Sequence, residues 1–445
     1  MDQIADRSAS PEVRRRAPAS AGTIFALASG AGRAAVAVMR LSGPDTGEIL
    51  ASLCRPPPPR RASLRGLRAP DGEMLDRALV LWLPAPASYT GEDCAELFLH
   101  GGHAVIDAVS EALVALGARP AEAGEFTRRA FLNGRMDLLE AEAVADLVEA
   151  ETGAQRRQAL RQLEGELGAL YRDWADRLRR LLANAEAAID FSDQDLPEIA
   201  DDAPLEGLRT AIAAHLADDH RGERLRDGLT IVVAGPPNAG KSSLINALSG
   251  REVAIVSPAP GTTRDTLETR VVLGGLPVTL IDTAGLREST DPVEAEGVRR
   301  ARTRAAGADL VLILVDCTAP VPFALDTAAP VLAVANKTDL APPPGPDCLA
   351  VSALTGAGLP ELRTRLAGLV ETLTRASGPP PLTRARHRAA LCVAEAALAA
   401  ARTAPAAELR AEELRLALAA IGRITGSVSV EDILDTIFSS FCIGK

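Results

Sequence analysis

One eight-residue run constrains the fold of this chain more than any other feature. Gly235-Pro-Pro-Asn-Ala-Gly-Lys-Ser242 has the spacing G-x-x-x-x-G-K-S, follows the apolar run Thr230–Ala234 and precedes the helix-like segment Ser243–Leu248. The glycines let backbone N–H groups close around phosphate oxygens, and the N-terminus of a helix adds positive potential. The plain alternative is a glycine-rich turn without a ligand. Strand, loop and helix in this order favour a phosphate-binding loop instead.

The side chains of this loop predict how a nucleotide is held. Lys241 is expected to reach the β- and γ-phosphates, and the Ser242 hydroxyl is expected to bind Mg²⁺. The remaining predicted contacts of the loop are Asn238, Ala239, Gly240 and Ser243. The loop by itself does not distinguish ATP from GTP.

The segment Asn336-Lys337-Thr338-Asp339 predicts the choice of base. It follows the apolar run Val331–Ala335, where a loop would lie over a nucleotide pocket. A carboxylate at Asp339 accepts hydrogen bonds from both N1–H and N2–H₂ of guanine, whereas adenine has no donor at either position. Lys337 can lay its stem over the base, and Asn336 can tie this segment to the phosphate loop.

A second segment supports the same base. Ser352, Ala353 and Leu354 follow the strand-like run Cys348–Val351, and a backbone N–H there could contact guanine O6. Each of these short motifs is common as a surface turn, but together and in this order they favour GTP.

Two further segments complete the predicted site. Asp282, Thr283, Ala284 and Gly285 follow the run Pro277–Ile281; the aspartate suits Mg²⁺ binding through water, and the Gly285 N–H suits the γ-phosphate. Thr263 is the predicted second hydroxyl ligand of Mg²⁺. Leu286 follows Gly285 where a Ras-like enzyme has a water-orienting glutamine. Another polar group must act there, and the candidates that the residues leave open are Glu288, Asp291 and Glu294.

The pattern along the 445 residues predicts an α/β plus all-α protein. An N-terminal α+β part is followed by a helical part, by a mainly parallel α/β domain of Ras-like type, and by a second helical part. The α/β domain is therefore predicted to be inserted into a helical domain. The predicted divisions are a disordered leader over 1–22, then 23–135, 136–227, 228–377 and 378–445. The arginine- and proline-rich segment Arg55–Arg68 is predicted to be a surface loop.

Composition excludes several classes of protein. The formal net charge of −11 argues against a generally basic nucleic-acid-binding surface, so any such contacts must be local. No apolar stretch is long enough for a membrane span. Six dispersed cysteines without a CxxC pair predict a reducing compartment and neither a disulfide framework nor a zinc cluster. A cytoplasmic location is expected.

With these residues in view, the chain resembles the bacterial and organellar tRNA modification GTPase family MnmE, also called TrmE. The resemblance covers nearly all of Thr23 to Lys445. Its specific signatures are Gly235–Ser243, Gly261–Asp265, Asp282–Glu288, Phe126–Leu139 and the C-terminal Phe438–Lys445.

The resemblance implies a potassium-stimulated GTPase. Asn238 matches the family's K⁺-coordinating asparagine, with Ser257, Ala259 and Thr262 at the other ligand positions. A cation there does the charge-neutralising work of an arginine finger. Glu294 falls on the family's water-activating glutamate, which selects it among the three acids. Lys241, Thr263 and Gly285 are the other expected catalytic residues.

The resemblance also implies a folate site, a dimer and a partner. Arg40, Glu96 and Arg135 match the family's contacts to 5-formyltetrahydrofolate or methylenetetrahydrofolate, and Lys445 adds a fourth. The family's homodimers join through their N-terminal domains and act with MnmG, an FAD- and NADH-dependent protein, in a heterotetramer or larger complex. Cys442 is a candidate reactive thiol, with a structural thiol as the alternative.

The implied function is addition of a carboxymethylaminomethyl or aminomethyl group to C5 of the wobble uridine of certain tRNAs, using a folate one-carbon unit. Two alternatives stay open. One is a regulatory or assembly GTPase that binds ribosomal RNA. In the other, the N-terminal part serves only for dimerisation and binds no folate.

Overall fold

The computed structural model describes residues 22–30, 32–190, 202–218, 220–236, 238–250, 268–282, 307–321, 327–346, 348–375, 380–428 and 431–444. Contacts divide the chain into two compact units. The first comprises Met1–Glu142 with Thr425–Lys445, and the second comprises Ala143–Ile424. The predicted segments 136–227 and 378–445 each cross a boundary between these units, so the three-domain division stays a prediction.

The first unit is built on a six-stranded sheet. Its strands are β1 (Ile24–Leu27), β2 (Ala34–Ser42), β3 (Ser63–Arg68), β4 (Met74–Leu83), β5 (Cys94–Gly101) and β6 (Arg119–Pro120). Their spatial order is β3-β4-β5-β2-β1-β6, and all neighbours are antiparallel except β1 and β6. The helices among them are α1 (Thr46–Leu53), α2 (His103–Ala115) and α3 (Glu125–Leu132). Leu50 of α1 and Leu113 of α2 join Leu41 and Leu97 of the sheet in one buried core.

The prediction that Arg55–Arg68 is entirely loop is wrong, because Ser63–Arg68 forms β3. Leu67 is fully buried in the core of the sheet. β3 is an edge strand, where basic side chains are common because they discourage further pairing. The arginine and proline content masked the strand.

Helices then dominate the chain. They are α4 (Leu138–Glu149), α5 (Gly153–Leu163), α6 (Glu166–Asp190), α7 (Ala203–Leu216) and α8 (Arg221–Asp227). An apolar stripe with helical spacing buries Leu167, Trp174 and Leu178 along α6, as a helix core requires. Leu160 on α5 is 37% exposed. The helix is interrupted at Gly165, so the apolar face of α5 is not continuous with that of α6.

The α/β part of the second unit contains the sheet that carries the phosphate loop. Its elements are β7 (Leu229–Ala234), α9 (Lys241–Leu248), β8 (Glu268–Leu273), β9 (Leu276–Asp282), β10 (Leu310–Asp316), β11 (Val331–Asn336), β12 (Leu349–Ala350) and α10 (Leu359–Thr374). The strand order is β12-β11-β10-β7-β9-β8. All neighbours are parallel except β8 and β9, which form an antiparallel hairpin through Gly274-Gly275. The carboxyl ends of the parallel strands therefore meet at one edge of the sheet.

The chain returns to helices after the α/β part, in α11 (Ala385–Thr403) and α12 (Ala407–Thr425). Helices from before and after the α/β part pack together, as predicted for an insertion. Arg209 of α7 and Glu395 of α11 form an ion pair at 2.8 Å. Asp146 of α4 pairs with both Arg226, just before the α/β part, and Arg384, just after it.

The C-terminal segment packs within the first unit. Helix α13 (Glu431–Ser439) lies against α3, and the rings of Phe438 and Phe441 are buried with centroids 5.3 Å apart. Ala123 and Ile443 form an antiparallel bridge. Gly124 permits this approach, since a Cβ there would lie 2.6 Å from the Phe438 carbonyl oxygen.

Candidate nucleotide-binding site

The phosphate loop connects the carboxyl end of β7 to α9. Gly240 has φ +89°, and a Cβ at this position would lie 2.4 Å from Nδ2 of Asn336. Only glycine accommodates both the left-handed backbone and this close approach. The predicted loop and the predicted base-reading segment are therefore in direct contact.

Lys241 begins α9 and its side chain is held inside the loop. It is 7% exposed, and Nζ donates to the carbonyl oxygens of Gly235 and Pro236, each at 3.0 Å. An ammonium group in this position has three donors, and it can exchange a carbonyl acceptor for a phosphate oxygen.

Two hard oxygen donors meet where the first turn of α9 lies beside the end of β9. The Ser242 hydroxyl donates to Oδ2 of Asp282 at 2.5 Å, and Asp282 is 7% exposed at the end of β9. The contact arises because β7 and β9 are adjacent and parallel. A hydroxyl and a carboxylate are ligands that suit Mg²⁺.

Asn336 joins three parts of the site. Its Nδ2 donates to the Ala239 carbonyl at 2.8 Å, and its Oδ1 accepts from the Ala353 N–H at 3.0 Å. Asn336 is 2% exposed, so both hydrogen bonds are shielded from water. One side chain therefore fixes the phosphate loop and both predicted base-reading segments relative to one another.

The charged residues after β11 have different environments. Lys337 has φ +67°, and its Nζ contacts Oδ2 of Asp316 at 2.5 Å. Asp339 is exposed, and its carboxylate has no hydrogen bond or ion pair to any described residue. The group expected to read guanine is thus open to a ligand.

The Ser352–Leu354 segment lies beside this carboxylate loop. Ser352 is buried and its Oγ accepts from the Thr355 N–H at 3.1 Å. The Ala353 N–H is engaged by Asn336, as described above, and Leu354 is 86% exposed. Leu354 is therefore more accessible to a ligand than Ser352 is.

Asp316 is a site residue that sequence reasoning missed, although it directly follows the apolar run Leu310–Val315. Burial tends to raise the pKa of its carboxyl group, but hydrogen bonds from Lys337 and Thr318 outweigh this, and the pKa lies below its usual value. The residue is therefore a carboxylate at neutral pH. Its position at the end of a parallel strand was the available signal.

A second cluster lies on the sheet of the first unit. Arg40 on β2 and Glu96 on β5 are cross-strand partners, and Nε and Nη2 of Arg40 donate to Oε1 of Glu96 at 3.0 and 2.9 Å. The guanidinium lies over the rings of Tyr89 and Phe126, at 5.2 and 5.8 Å from the centroids. Burial raises the pKa of Tyr89 above its ordinary value, so the phenol stays neutral.

Arg135 belongs to the same neighbourhood. It is exposed, and its Cγ lies 3.2 Å from where a Cβ of Gly91 would stand. The loop between β4 and β5 thus carries Tyr89 beside Arg40 and Gly91 beside Arg135. Tyr89 is one of two tyrosines in the chain, and sequence reasoning missed it as well. Cys442 is an exposed thiol in the C-terminal segment.

Several predicted residues lie outside the described residues. They are Ser257, Ala259, Thr262, Thr263, Thr283, Ala284, Gly285, Glu294 and Lys445, together with residues 1–21 of the leader and the acids Glu288 and Asp291. The roles of these residues stay predictions.

Comparison with known proteins identifies the family. The model described as "GTP-binding protein TrmE N-terminus" matches residues 23–135, and the model "MnmE helical domain" matches residues 138–442, more than half of the chain. The chain belongs to the MnmE family. It is 58% identical to the tRNA modification GTPase MnmE of Gluconacetobacter diazotrophicus, over 95% of this chain and 98% of that protein. With the MnmE of Granulibacter bethesdensis it shares 56% identity, covering 95% and 99%.

A solved structure of a point variant of Aquifex aeolicus Era, bound to GDP.AlF4-, aligns with 38% of this chain and 66% of its own at 27% identity, with a TM-score of 0.25. The predicted family, fold class and class of enzyme, a GTP hydrolase, are confirmed. Within the described residues, no helix has both the length and the hydropathy to cross a membrane.

Proposed function

We propose that this MnmE family member hydrolyses GTP to drive modification of the wobble uridine of tRNA. With a flavoprotein partner of MnmG type, it adds a carboxymethylaminomethyl or aminomethyl group to C5 using a folate one-carbon unit. The observation that carries the proposal is the junction at Asn336, which joins the phosphate loop to an open Asp339 carboxylate. The tRNA part rests on the name of the relatives, tRNA modification GTPase.

Guanine is the base that this pocket suits. The Asp339 carboxylate has four lone-pair positions and no competing partner among the described residues, so it can accept from both guanine donors. Adenine would leave the carboxylate facing its N1 acceptor, which costs affinity. The exposed side chains of Asp339 and Leu354 leave room for the base.

Mg²⁺ is the cation that the phosphate end suits. The contact between Ser242 and Asp282 brings together a hydroxyl and a carboxylate, both hard oxygen donors. Ser242 and Thr263 would hold the ion directly and Asp282 through water. The ion would neutralise negative charge on the phosphates.

Hydrolysis is assigned to the residues that the family resemblance selects. Glu294 would orient the attacking water. Lys241 and the Gly285 N–H would stabilise negative charge on the γ-phosphate, and Thr263 would bind the same phosphate group. K⁺ would lie at Asn238 with Ser257, Ala259 and Thr262. Asn238 is exposed, has φ +62° and makes no side-chain hydrogen bond to a described residue, so its amide oxygen is available.

The catalytic assignment predicts two results. GTP hydrolysis is expected to be faster in KCl than in NaCl at equal ionic strength, because the ligand set at Asn238 is proposed to bind K⁺. Glu294→Gln is expected to reduce the hydrolysis rate by about 100-fold or more while leaving the affinity for GTP nearly unchanged. Phosphate release and fluorescent GTP titration measure these quantities. Equal rates in both salts would exclude the K⁺ site, and loss of GTP binding in the variant would exclude the role of Glu294.

The folate proposal rests on Arg40, Glu96 and Arg135. Only one oxygen of Glu96 is used by Arg40, so Oε2 stays available to a pterin amide edge. Tyr89 and Phe126 supply apolar ring surface beside it. Lys445 would contribute a further positive charge, and Cys442 is the candidate reactive thiol of the same C-terminal segment.

A homodimer through the first unit is supported by its sheet. Leu64 and Leu79 are cross-strand neighbours on β3 and β4, and they are 55% and 47% exposed. The row continues to Phe98 and Val38 across β5 and β2, on the face opposite α1 and α2. Leu64 and Leu79 are the exposed end of this row, whereas Phe98 and Val38 are half-buried, and an apolar surface of this kind can serve for association. We also propose a cytoplasmic location and the three-domain division predicted above.

A further inference from the structure

Lys337 and Asp339 are two residues apart, and their charges are opposite. A released lysine at 337 could fold back onto the carboxylate that reads guanine. In the structure it does not, because its ammonium contacts Asp316 at 2.5 Å. The side chains of Lys337 and Asp316 are 29% and 10% exposed, so the pair is only partly screened by water.

Asp316 is held independently of the lysine. Its Oδ1 accepts from the backbone N–H of Thr318 at 2.9 Å and from the Thr318 hydroxyl at 2.6 Å. Its backbone is fixed as well, since Asp316 lies opposite Asn336 in the β10–β11 register and the Cys317 N–H donates to the Asn336 carbonyl at 3.0 Å. Only Oδ2 points to Lys337, so the direction of the contact is set by the sheet.

We propose that Asp316 is a positioning residue for base selectivity, which holds the Lys337 ammonium away from Asp339. This inference rests on the proposed function, because it concerns the same GTP site. Asp316 touches neither the base nor the phosphates; it keeps the carboxylate of Asp339 unpaired and the lysine stem extended beside the base. Lys337 also adopts a left-handed backbone, which is costly for a lysine.

The experiment compares the affinities for GTP and ITP, because inosine lacks the N2 amine that donates to Asp339. The intact protein is titrated with each nucleotide, and the ratio of the two dissociation constants is the readout. We expect the unaltered protein to prefer GTP by about tenfold, the effect of one charge-assisted hydrogen bond. In Asp316→Asn the freed lysine competes for Asp339, and the preference is expected to fall to roughly threefold or less.

Three variants separate positioning from simple damage to the loop. Lys337→Met removes the ammonium and keeps the stem, so adding Asp316→Asn to it should not change the GTP-to-ITP ratio further. Glu361→Gln, an exposed acid on α10, is the control for loss of one negative charge. A purely structural role would weaken GTP and ITP equally and leave the ratio unchanged.

The outcomes are distinguishable. The inference is supported if the preference for GTP over ITP falls in Asp316→Asn and if the double variant has the same preference as Lys337→Met. An unchanged ratio in Asp316→Asn, or compression that persists in the double variant, overturns it. If the unaltered protein does not bind GTP, the proposed function itself fails and the positioning role fails with it.

Discussion

At the scale of single residues, Gly240 has a strict steric requirement in the nucleotide site. Its φ of +89° lies in the left-handed region, and a Cβ would approach Nδ2 of Asn336 to 2.4 Å. Asn336 cannot retreat without losing its hydrogen bonds to Ala239 and Ala353. One methyl group at this position would therefore disturb all three parts of the site together.

We expect Gly240→Ala to weaken binding of GDP by about tenfold or more, through backbone strain and displacement of Asn336. Titration with a fluorescent GDP analogue measures the effect. Gly345→Ala is the matched control, because that glycine has open space around its Cβ position. Equal affinities in the two variants would contradict the described packing of the loop.

At the scale of elements, the helices of the second unit contain a buried aromatic cluster. His215 of α7 is 4% exposed and its Nε2 lies 3.2 Å from the hydroxyl of Tyr171 on α6. Trp174 packs edge-on against the same imidazole, with ring centroids 5.4 Å apart. Burial lowers the pKa of His215 to about 4; the charges of Arg388 and His387 act in the same direction and Asp218 opposes them.

This pKa shift predicts a pH-dependent stability. An unfolded histidine has a pKa near 6.5, so between about pH 6.5 and 4 the unfolded chain binds the proton that the folded chain excludes. The contribution is complete above pH 6.5 and is lost as the pH falls towards 4. Between pH 7 and 4.5, the unaltered protein is expected to lose about 2 kcal/mol more unfolding free energy than His215→Gln, which cannot be protonated.

Urea unfolding followed by tryptophan fluorescence measures this difference, since Trp174 lies in the cluster. The comparison with His215→Gln cancels the carboxylates that titrate over the same range in both proteins. Parallel pH profiles for the two proteins would show that His215 does not carry the effect.

At the scale of the whole molecule, local patterns were predictable and long-range pairings were not. The phosphate loop and the segment Asn336–Asp339 were recognisable because strand, turn and helix residues occur in consecutive order. The edge strand Ser63–Arg68 was missed, since its burial depends on pairing with β4 rather than on its own composition. The bridge between Ala123 and Ile443 joins segments far apart in the chain, and no local sequence pattern predicts it.

The formal net charge of −11 restricts how the whole molecule can bind tRNA. A protein of this charge that acts on tRNA must concentrate its basic contacts locally or take them from a partner. This condition fits a flavoprotein complex. It also distinguishes the proposal from a GTPase that binds ribosomal RNA by itself, which would be expected to carry its own basic module.

The most direct test of the central claim is mass spectrometry of the tRNA nucleosides from cells that lack this protein. We predict that carboxymethylaminomethyl or aminomethyl groups disappear from wobble uridines and that the intact gene restores them. Lys241→Ala should fail to restore them, because the phosphate loop loses its ammonium group. Normal wobble uridines in the absence of the protein would contradict the account and favour a GTPase without modification chemistry.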